Sequence, residues 1–157
     1  MAVDHDQIDL VDVADAAGTG CVVRVAGRFQ PGVLTGHDIL RTDVLVSASF
    51  VDARLQLFLS PGDLDEWRRD LAQLAAGGSA TLGADRGLSL GFRVYEDGWL
   101  AITVEDPDRL TAQLGLRPAE AWIAEHLRRL ERVRAAWPRE VCETAPGAYV
   151  WSSTAER

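Results

Sequence analysis

The chain has 157 residues, of which 47% are hydrophobic, and a formal net charge of −8. That length suits one α+β domain over 1–157 with a core of its own, and no apolar run approaches the roughly 20 residues of a membrane-spanning helix. The acidic balance argues against nucleic-acid binding and suits a basic protein partner or plain solubility, and because all 16 basic residues are Arg, a Walker-type phosphate loop, a Schiff-base lysine and a Ser–Lys dyad are excluded.

Residues 1–19 are Asp-rich and expected to be loosely held, with Ile8, Leu10 and Val13 able to add one short strand or turn. The opening Met1-Ala2-Val3-Asp4-His5-Asp6 lacks a basic segment followed by an apolar one, so a cytoplasmic location is expected. Cys21 and Cys142 are far apart and unpatterned, which favours two thiols over a disulfide. Cys21 to Phe29 reads as a strand with Cys21, Val23, Val25 and Phe29 on one face. Gln30-Pro31-Gly32 ends it, because Pro cannot donate to a ladder, and residues 30–42 read as a loop.

Val44, Val46, Ala48 and Phe50 alternate, and the apolar parity then switches to Leu55, Leu57 and Leu59. A period-2 pattern changes parity only at a turn or bulge, so a tight hairpin is expected near Val51-Asp52-Ala53, with one long bulged strand as the alternative. The next segment is the clearest helix, over about 63–76. Leu64, Trp67, Leu71, Leu74 and Ala75 form its apolar stripe, Asp63 and Glu66 fit a capping box, and Gly77-Gly78 stops it.

Two similar turns organise the middle of the chain. Asp85-Arg86-Gly87 and Glu96-Asp97-Gly98 each place three residues ending in Gly between alternating runs, the pattern of a hairpin loop closed by a left-handed Gly. The first sets Leu82 opposite Leu90 and Ala80 opposite Phe92. The second sets Val94 opposite Leu100, Phe92 opposite Ile102 and Leu90 opposite Val104. One register satisfies both, so a three-stranded antiparallel meander with one buried face is expected. Asp106-Pro107-Asp108 breaks its last strand, and 109–115 reads as a short irregular or one-turn segment. A second helix is expected over about 118–137, opened by Pro118, ended by Pro138, and buried along Trp122, Ile123, His126, Leu127, Leu130, Val133 and Trp137. His126 reads as a core-edge histidine with one bonded nitrogen. The tail, 139–157, is expected to be loosely held unless Tyr149 and Trp151 tie it down. The whole assembles as one antiparallel sheet of about six strands in sequential hairpins. The first helix covers one face, and the second lies on an edge or on the other face.

No strong catalytic motif stands out. His37, Asp38 and Asp43 are the one candidate trio for small-hydrolase chemistry, provided they converge in a cleft; the competing reading gives Asp38 local backbone amides to bind. With three His and no ligand spacing, no metal or cofactor is expected. The second hairpin places Tyr95 opposite Trp99 on the face turned away from Phe92 and Ile102, continued by Arg93 and Thr103. Exposed, that pair has the composition of an interaction hot spot; covered by the last helix, it is ordinary core. The acids Asp65, Asp70, Glu96 and Asp97 complete the candidate partner-binding set.

Arg28-Phe29-Gln30-Pro31, the Asp43–Ser47 strand, the Leu59–Gly77 segment with Trp67 inside it and the Leu88–Phe92 strand resemble an uncharacterised actinobacterial family of small acidic proteins. The likeness extends to Glu143-Thr144-Ala145-Pro146-Gly147-Ala148-Tyr149. More distantly, residues 28–104 resemble the WapI-type immunity proteins of bacterial contact-dependent toxin systems in a paired-strand unit, an amphipathic helix with a central Trp, and a strand after it. The first resemblance implies no activity. The second implies binding and neutralising a toxin, often a nuclease with a basic cleft, and carries over no functional residue. The expectation is a non-enzymatic, acidic protein-binding module; a small hydrolase and a self-associating structural or regulatory protein are the alternatives.

Overall fold

The computed structural model describes residues 7–83 and 87–152. Its strands are β1 (Ile8–Ala14), β2 (Gly20–Arg28), β3 (Leu40–Ala48), β4 (Val51–Leu59), β5 (Ser79–Leu82), β6 (Ser89–Val94), β7 (Leu100–Asp106), β8 (Leu110–Leu116), β9 (Val141–Ala145) and β10 (Ala148–Trp151). The helices are α1 (Pro61–Ala75), between β4 and β5, and α2 (Trp122–Ala136), between β8 and β9.

The strands form two four-stranded sheets, β1-β2-β3-β4 and β5-β6-β7-β8, and a two-stranded ribbon, β9-β10. Every pairing is antiparallel and joins sequence neighbours. The expected single sheet of about six strands is therefore corrected: α1 interrupts the hairpin series after β4 and a second sheet starts at β5. Each strand of the large sheets turns alternate residues inward, and those residues join α1 and α2 in one continuous buried cluster. A β-bulge between Asp9 and Val11 brings Leu10 and Val11, neighbours in sequence, both to zero exposure.

The meander register is the expected one, with Leu82↔Leu90, Ala80↔Phe92, Val94↔Leu100, Phe92↔Ile102 and Leu90↔Val104. At the second turn Gly98 donates to Tyr95 O (2.9 Å), Tyr95 donates to Trp99 O (2.9 Å) and Gly98 takes φ +86°, the left-handed value the turn requires. Asp85 and Arg86 of the first turn lie outside the described residues. A fourth strand, β8, extends the meander where an irregular segment was expected. Asp106 is buried and closes the preceding turn, accepting from Asp108 N (3.1 Å) and pairing with Arg109 Nε (3.1 Å). Leu114 and Leu116 then bury in the alternating pattern of a half-buried strand.

Three further expectations shift. The β3–β4 hairpin turns at Ser49-Phe50, because Ala48 already pairs with Val51; Phe50 is left at the tip, 66% exposed. The capping box of α1 is Ser60 with Asp63, not Asp63 with Glu66: Asp63 N donates to Ser60 Oγ (3.2 Å) and Ser60 N to Asp63 Oδ2 (2.8 Å). That frees Pro61 for the first helical turn, where its missing N–H costs nothing. Helix α2 starts four residues later than expected, at Trp122 instead of 118.

Helix α1 lays Leu64, Trp67, Leu71 and Leu74 inward, with the Trp67 ring 5.1 Å from that of Phe92 on β6. Helix α2 runs along the edge of the first sheet. His126 Nε2 accepts from Asp12 N (3.0 Å), and Arg129 Nη1 donates to Asp9 O (3.1 Å). Both nitrogens of His126 are engaged, since Nδ1 lies 2.6 Å from Trp122 O and donates to it. The β1 edge is thus capped by side chains, which blocks pairing with another strand. At the junction between the sheets, Gly83 takes φ +70°, and a Cβ there would stand 2.6 Å from Leu57 Cδ1.

Candidate functional site

The second sheet turns its inner face to α1 and leaves its outer face open. Helix α2, the candidate cover for Tyr95 and Trp99, is committed to the β1 edge instead, and the two aromatics stay 44% and 40% exposed. Each ring rests under a guanidinium. Arg93, two residues before Tyr95 on the same face of β6, holds Cζ 5.2 Å from the Tyr95 ring centre, and Arg117, beyond β8, holds Cζ 5.4 Å from that of Trp99. Such contacts contribute roughly 0.5–1 kcal/mol at exposed sites. Trp99 also lies over Gly115 of β8, where a Cβ would come within 4.0 Å of Cε3. Beyond the aromatics this face carries the small or short side chains of Ser79, Thr81, Gly91, Ala101 and Thr103 together with the longer Arg93 and Gln113.

Glu96 and Asp97, on the turn joining β6 to β7, border this patch, and with Tyr95, Trp99, Arg93, Val94 and Gly77 they line one open concavity. Asp97 Oδ1 accepts from Trp99 N (3.2 Å), which fixes the start of β7 beneath the indole. The other two candidate acids stand apart. Asp65, in the first turns of α1, pairs with Arg134 of α2 and lines a separate cavity of about 280 Å³ with Trp137 and Arg139. Asp70 accepts from the Thr81 backbone on β5, the edge strand of the second sheet; burial, the larger effect, raises its pKa and that bond opposes the rise. The structure therefore unites four of the six candidate residues and gives Asp65 and Asp70 structural partners elsewhere.

His37 and Asp38 meet the same two residues, Arg28 and Glu140, while Asp43 stands apart from both. Asp38 accepts from Glu140 N (3.0 Å), Val141 N (2.8 Å) and Arg28 Nη1 (3.0 Å), and so clamps the β9–β10 ribbon to the loop after β2. Arg28 completes the clamp through Pro138 O (2.8 Å) and Glu140 Oε1 (2.9 Å). His37 Nδ1 accepts from Gly32 N (2.9 Å), so its proton sits on Nε2, which faces Glu140 Oε2 at 3.4 Å. Its one lone pair is occupied, which leaves no open base. Asp43 lies on β3 paired with Arg54 of β4 (2.9 Å). The backbone-binding reading of Asp38 holds, with partners about a hundred residues away in place of local ones. Of the tail, expected to be loose, residues 139–152 are tied down through this clamp and a T-shaped His37–Trp151 contact at 4.8 Å.

Sequence reasoning overlooked Arg117, whose signal lay in the strand that follows the Asp106-Pro107 break. It also overlooked Arg28, which nothing local distinguishes from a solvated arginine. Among the described residues no group of three or more His, Cys, Asp or Glu is placed to hold a metal ion, and no helix is long and apolar enough to cross a membrane.

The architecture defines a small α+β domain of two antiparallel sheets and two helices. The chain belongs to a family of unknown function, DUF5959, whose model matches residues 8–138. The matched span ends at Pro138, so the β9–β10 ribbon falls outside it. No curated protein matches the chain.

Proposed function

We propose that the protein is a non-enzymatic, acidic protein-binding module that works through the outer face of its second sheet. The observation that carries the reading is the Tyr95–Trp99 pair, exposed on a sheet face that neither helix covers and steadied by Arg93 and Arg117. Aromatics held rigid at a surface lose little entropy on binding and are the residues from which interface hot spots are most often built. The −8 net charge, with Glu96 and Asp97 beside the aromatics, suits a basic partner by raising its association rate. A cytoplasmic immunity role, holding a toxin such as a nuclease with a basic cleft, is the most concrete form of this proposal; it rests on the charge and on the resemblance to WapI-type immunity proteins. The hydrolase alternative has less support, because His37, Asp38 and Asp43 are each taken up by other partners.

A photo-crosslinking amino acid at position 99 in living cells, followed by mass spectrometry, tests the proposal. The expected result is a protein adduct that is absent when the crosslinker replaces exposed Phe50, on the β3–β4 turn of the other sheet. With the partner in hand, Trp99→Ala should weaken binding by about 2 kcal/mol or more while the melting temperature holds, and Glu96→Arg should slow association. Unchanged affinity in the folded Trp99→Ala protein would refute the reading.

A further inference from the structure

A second concave site lies where α2 ends, away from the outer face of the second sheet. Trp137 closes α2 with its N–H on Val133 O (2.9 Å) and leaves the helical conformation at φ −130°, ψ 73°. Pro138 then directs the chain toward β9, which Asp38 holds through Glu140 N and Val141 N. Trp137 and Pro138 on one element and Pro61, at the start of α1, on another border a cavity of about 280 Å³. At ~30 Å³ per water that is room for roughly nine waters, enough for one ring with a small polar group. Five of its lining residues are apolar: Leu40 and Leu64, both buried, with Pro61, Trp137 and Pro138. The cavity shares no lining residue with the Tyr95–Trp99 concavity, so it stands independently of the protein-binding reading.

Two of the lining residues carry bonding capacity that the fold leaves unused. Trp67, Trp99, Trp122 and Trp151 each meet another ring or a guanidinium; among the described residues the half-buried indole of Trp137 meets neither. Arg139 donates from Nε to Val141 O (3.3 Å), and among the described residues its two Nη groups have no acceptor and no acid pairs with it. The carboxylates at the cavity are in the opposite state. Asp38 accepts from Arg28 Nη1, Glu140 N and Val141 N, and Asp65 is paired with Arg134. The polar capacity left over is therefore cationic. A planar guanidinium with both Nη groups available takes a carboxylate through two parallel N–H···O bonds. We infer that this cavity binds a small aromatic monocarboxylate, with its ring against Trp137 and Leu64 and its carboxylate on Arg139. The cavity falls just below the roughly 300–1,000 Å³ of sites for drug-sized ligands, which limits the occupant to about one ring. A cation of the same shape would meet acids already engaged and an unpaired arginine, a like-charge contact that disfavours it.

The test titrates benzoate, benzylamine and acetate separately into the full-length protein and follows the indole N–H resonances, that of Trp137 being identified by its loss in Trp137→Phe. Benzoate should shift the Trp137 resonance saturably, with a Kd of about 1 mM or below, and leave that of Trp99 in place. Benzylamine has the same ring with the opposite charge, and acetate has the charge without the ring; neither should give a saturable shift over the same range. Arg139→Gln, a change at an exposed side chain, should weaken benzoate binding at least about tenfold. Arg132→Gln, exposed on α2 and outside the cavity, should leave it unchanged. The inference is overturned if benzoate leaves Trp137 unmoved at about 10 mM, if benzylamine or acetate binds equally well, or if Arg139→Gln binds benzoate like the parent chain. Any of these results leaves the Tyr95–Trp99 reading to its own test, because the crosslinker at position 99 reports on a different surface.

Discussion

Truncation of Trp67 tests whether the core is built as described. The side chain has zero exposure, lies at the centre of the α1 stripe and meets Phe92 at 5.1 Å between ring centres. Removing a buried Trp to Ala costs about 3–5 kcal/mol through lost burial and the cavity left behind. One feature pulls the value down: Trp67 Nε1 is buried with no hydrogen-bond partner among the described residues, and an orphaned donor carries a penalty of about 1–3 kcal/mol that truncation relieves. The expected loss is therefore near the lower end, about 3 kcal/mol. For a domain of this size it corresponds to a fall of about 6–12 °C in melting temperature by calorimetry or far-UV circular dichroism. Trp67→Phe keeps an aromatic ring beside Phe92 and removes the orphaned N–H, so it should cost about 1 kcal/mol or less. A shift below about two degrees for Trp67→Ala would refute the packing argument. Equal damage from both substitutions would show instead that the indole N–H has a partner.

Three further outcomes follow from the same geometry. Burial pushes the Cys21 thiol up to about 12, while Cys142 is exposed. An aromatic disulfide reagent at neutral pH should therefore titrate one thiol per native chain and two after denaturation; two fast thiols in the native protein would contradict the buried position of Cys21. Burial holds the His126 pKa below its ordinary value, and nearby Arg129 adds to the depression while the Trp122 carbonyl, Asp12 and Glu125 oppose it. Since the unfolded chain then takes up this proton more readily, the stability that neutral His126 contributes is complete above about pH 6.5 and is lost as the pH falls from there through the depressed folded value. Denaturant unfolding at pH 7 and pH 5 should show that loss, and it should shrink in His126→Gln. Asp38→Ala removes the acceptor shared by Glu140 N, Val141 N and Arg28; limited proteolysis should release the β9–β10 ribbon near Pro138 faster, and an unchanged cleavage rate would show that the clamp is not what holds the ribbon.

Local pattern carried the meander. Alternation fixes which residues share a face, the Glu-Asp-Gly turn fixes the partner of each, and together they place Leu90, Phe92, Ile102 and Val104 correctly. The same logic located α1 and four of the five residues of its stripe; Ala75, the fifth, is exposed at the end of the helix. That logic misled where two local signals competed. Pro107 between two Asp looked like the end of the meander's last strand, yet the buried Asp106 carboxylate makes that turn the link to another strand. In the tail, Trp151 was the correct hint through its contact with His37, but the clamp that orders the ribbon is anchored at Asp38, about a hundred residues earlier.

The candidate site divides along the same line. That Tyr95 and Trp99 share an outward face is written in the local sequence, because side-chain direction in a hairpin depends only on the strand period and the turn. Whether that face is open depends on where α2 packs, and an apolar helix stripe does not name its acceptor. The choice rests on His126 and Arg129 meeting the free backbone of β1, contacts between residues more than a hundred positions apart. The division into two sheets, the separation of Asp65 and Asp70 from the aromatic patch and the use of Asp38 as a clamp are likewise products of the folded whole. Each depends on which surfaces compete best for burial and hydrogen bonds once the entire chain is compact, and no window of local sequence contains that competition.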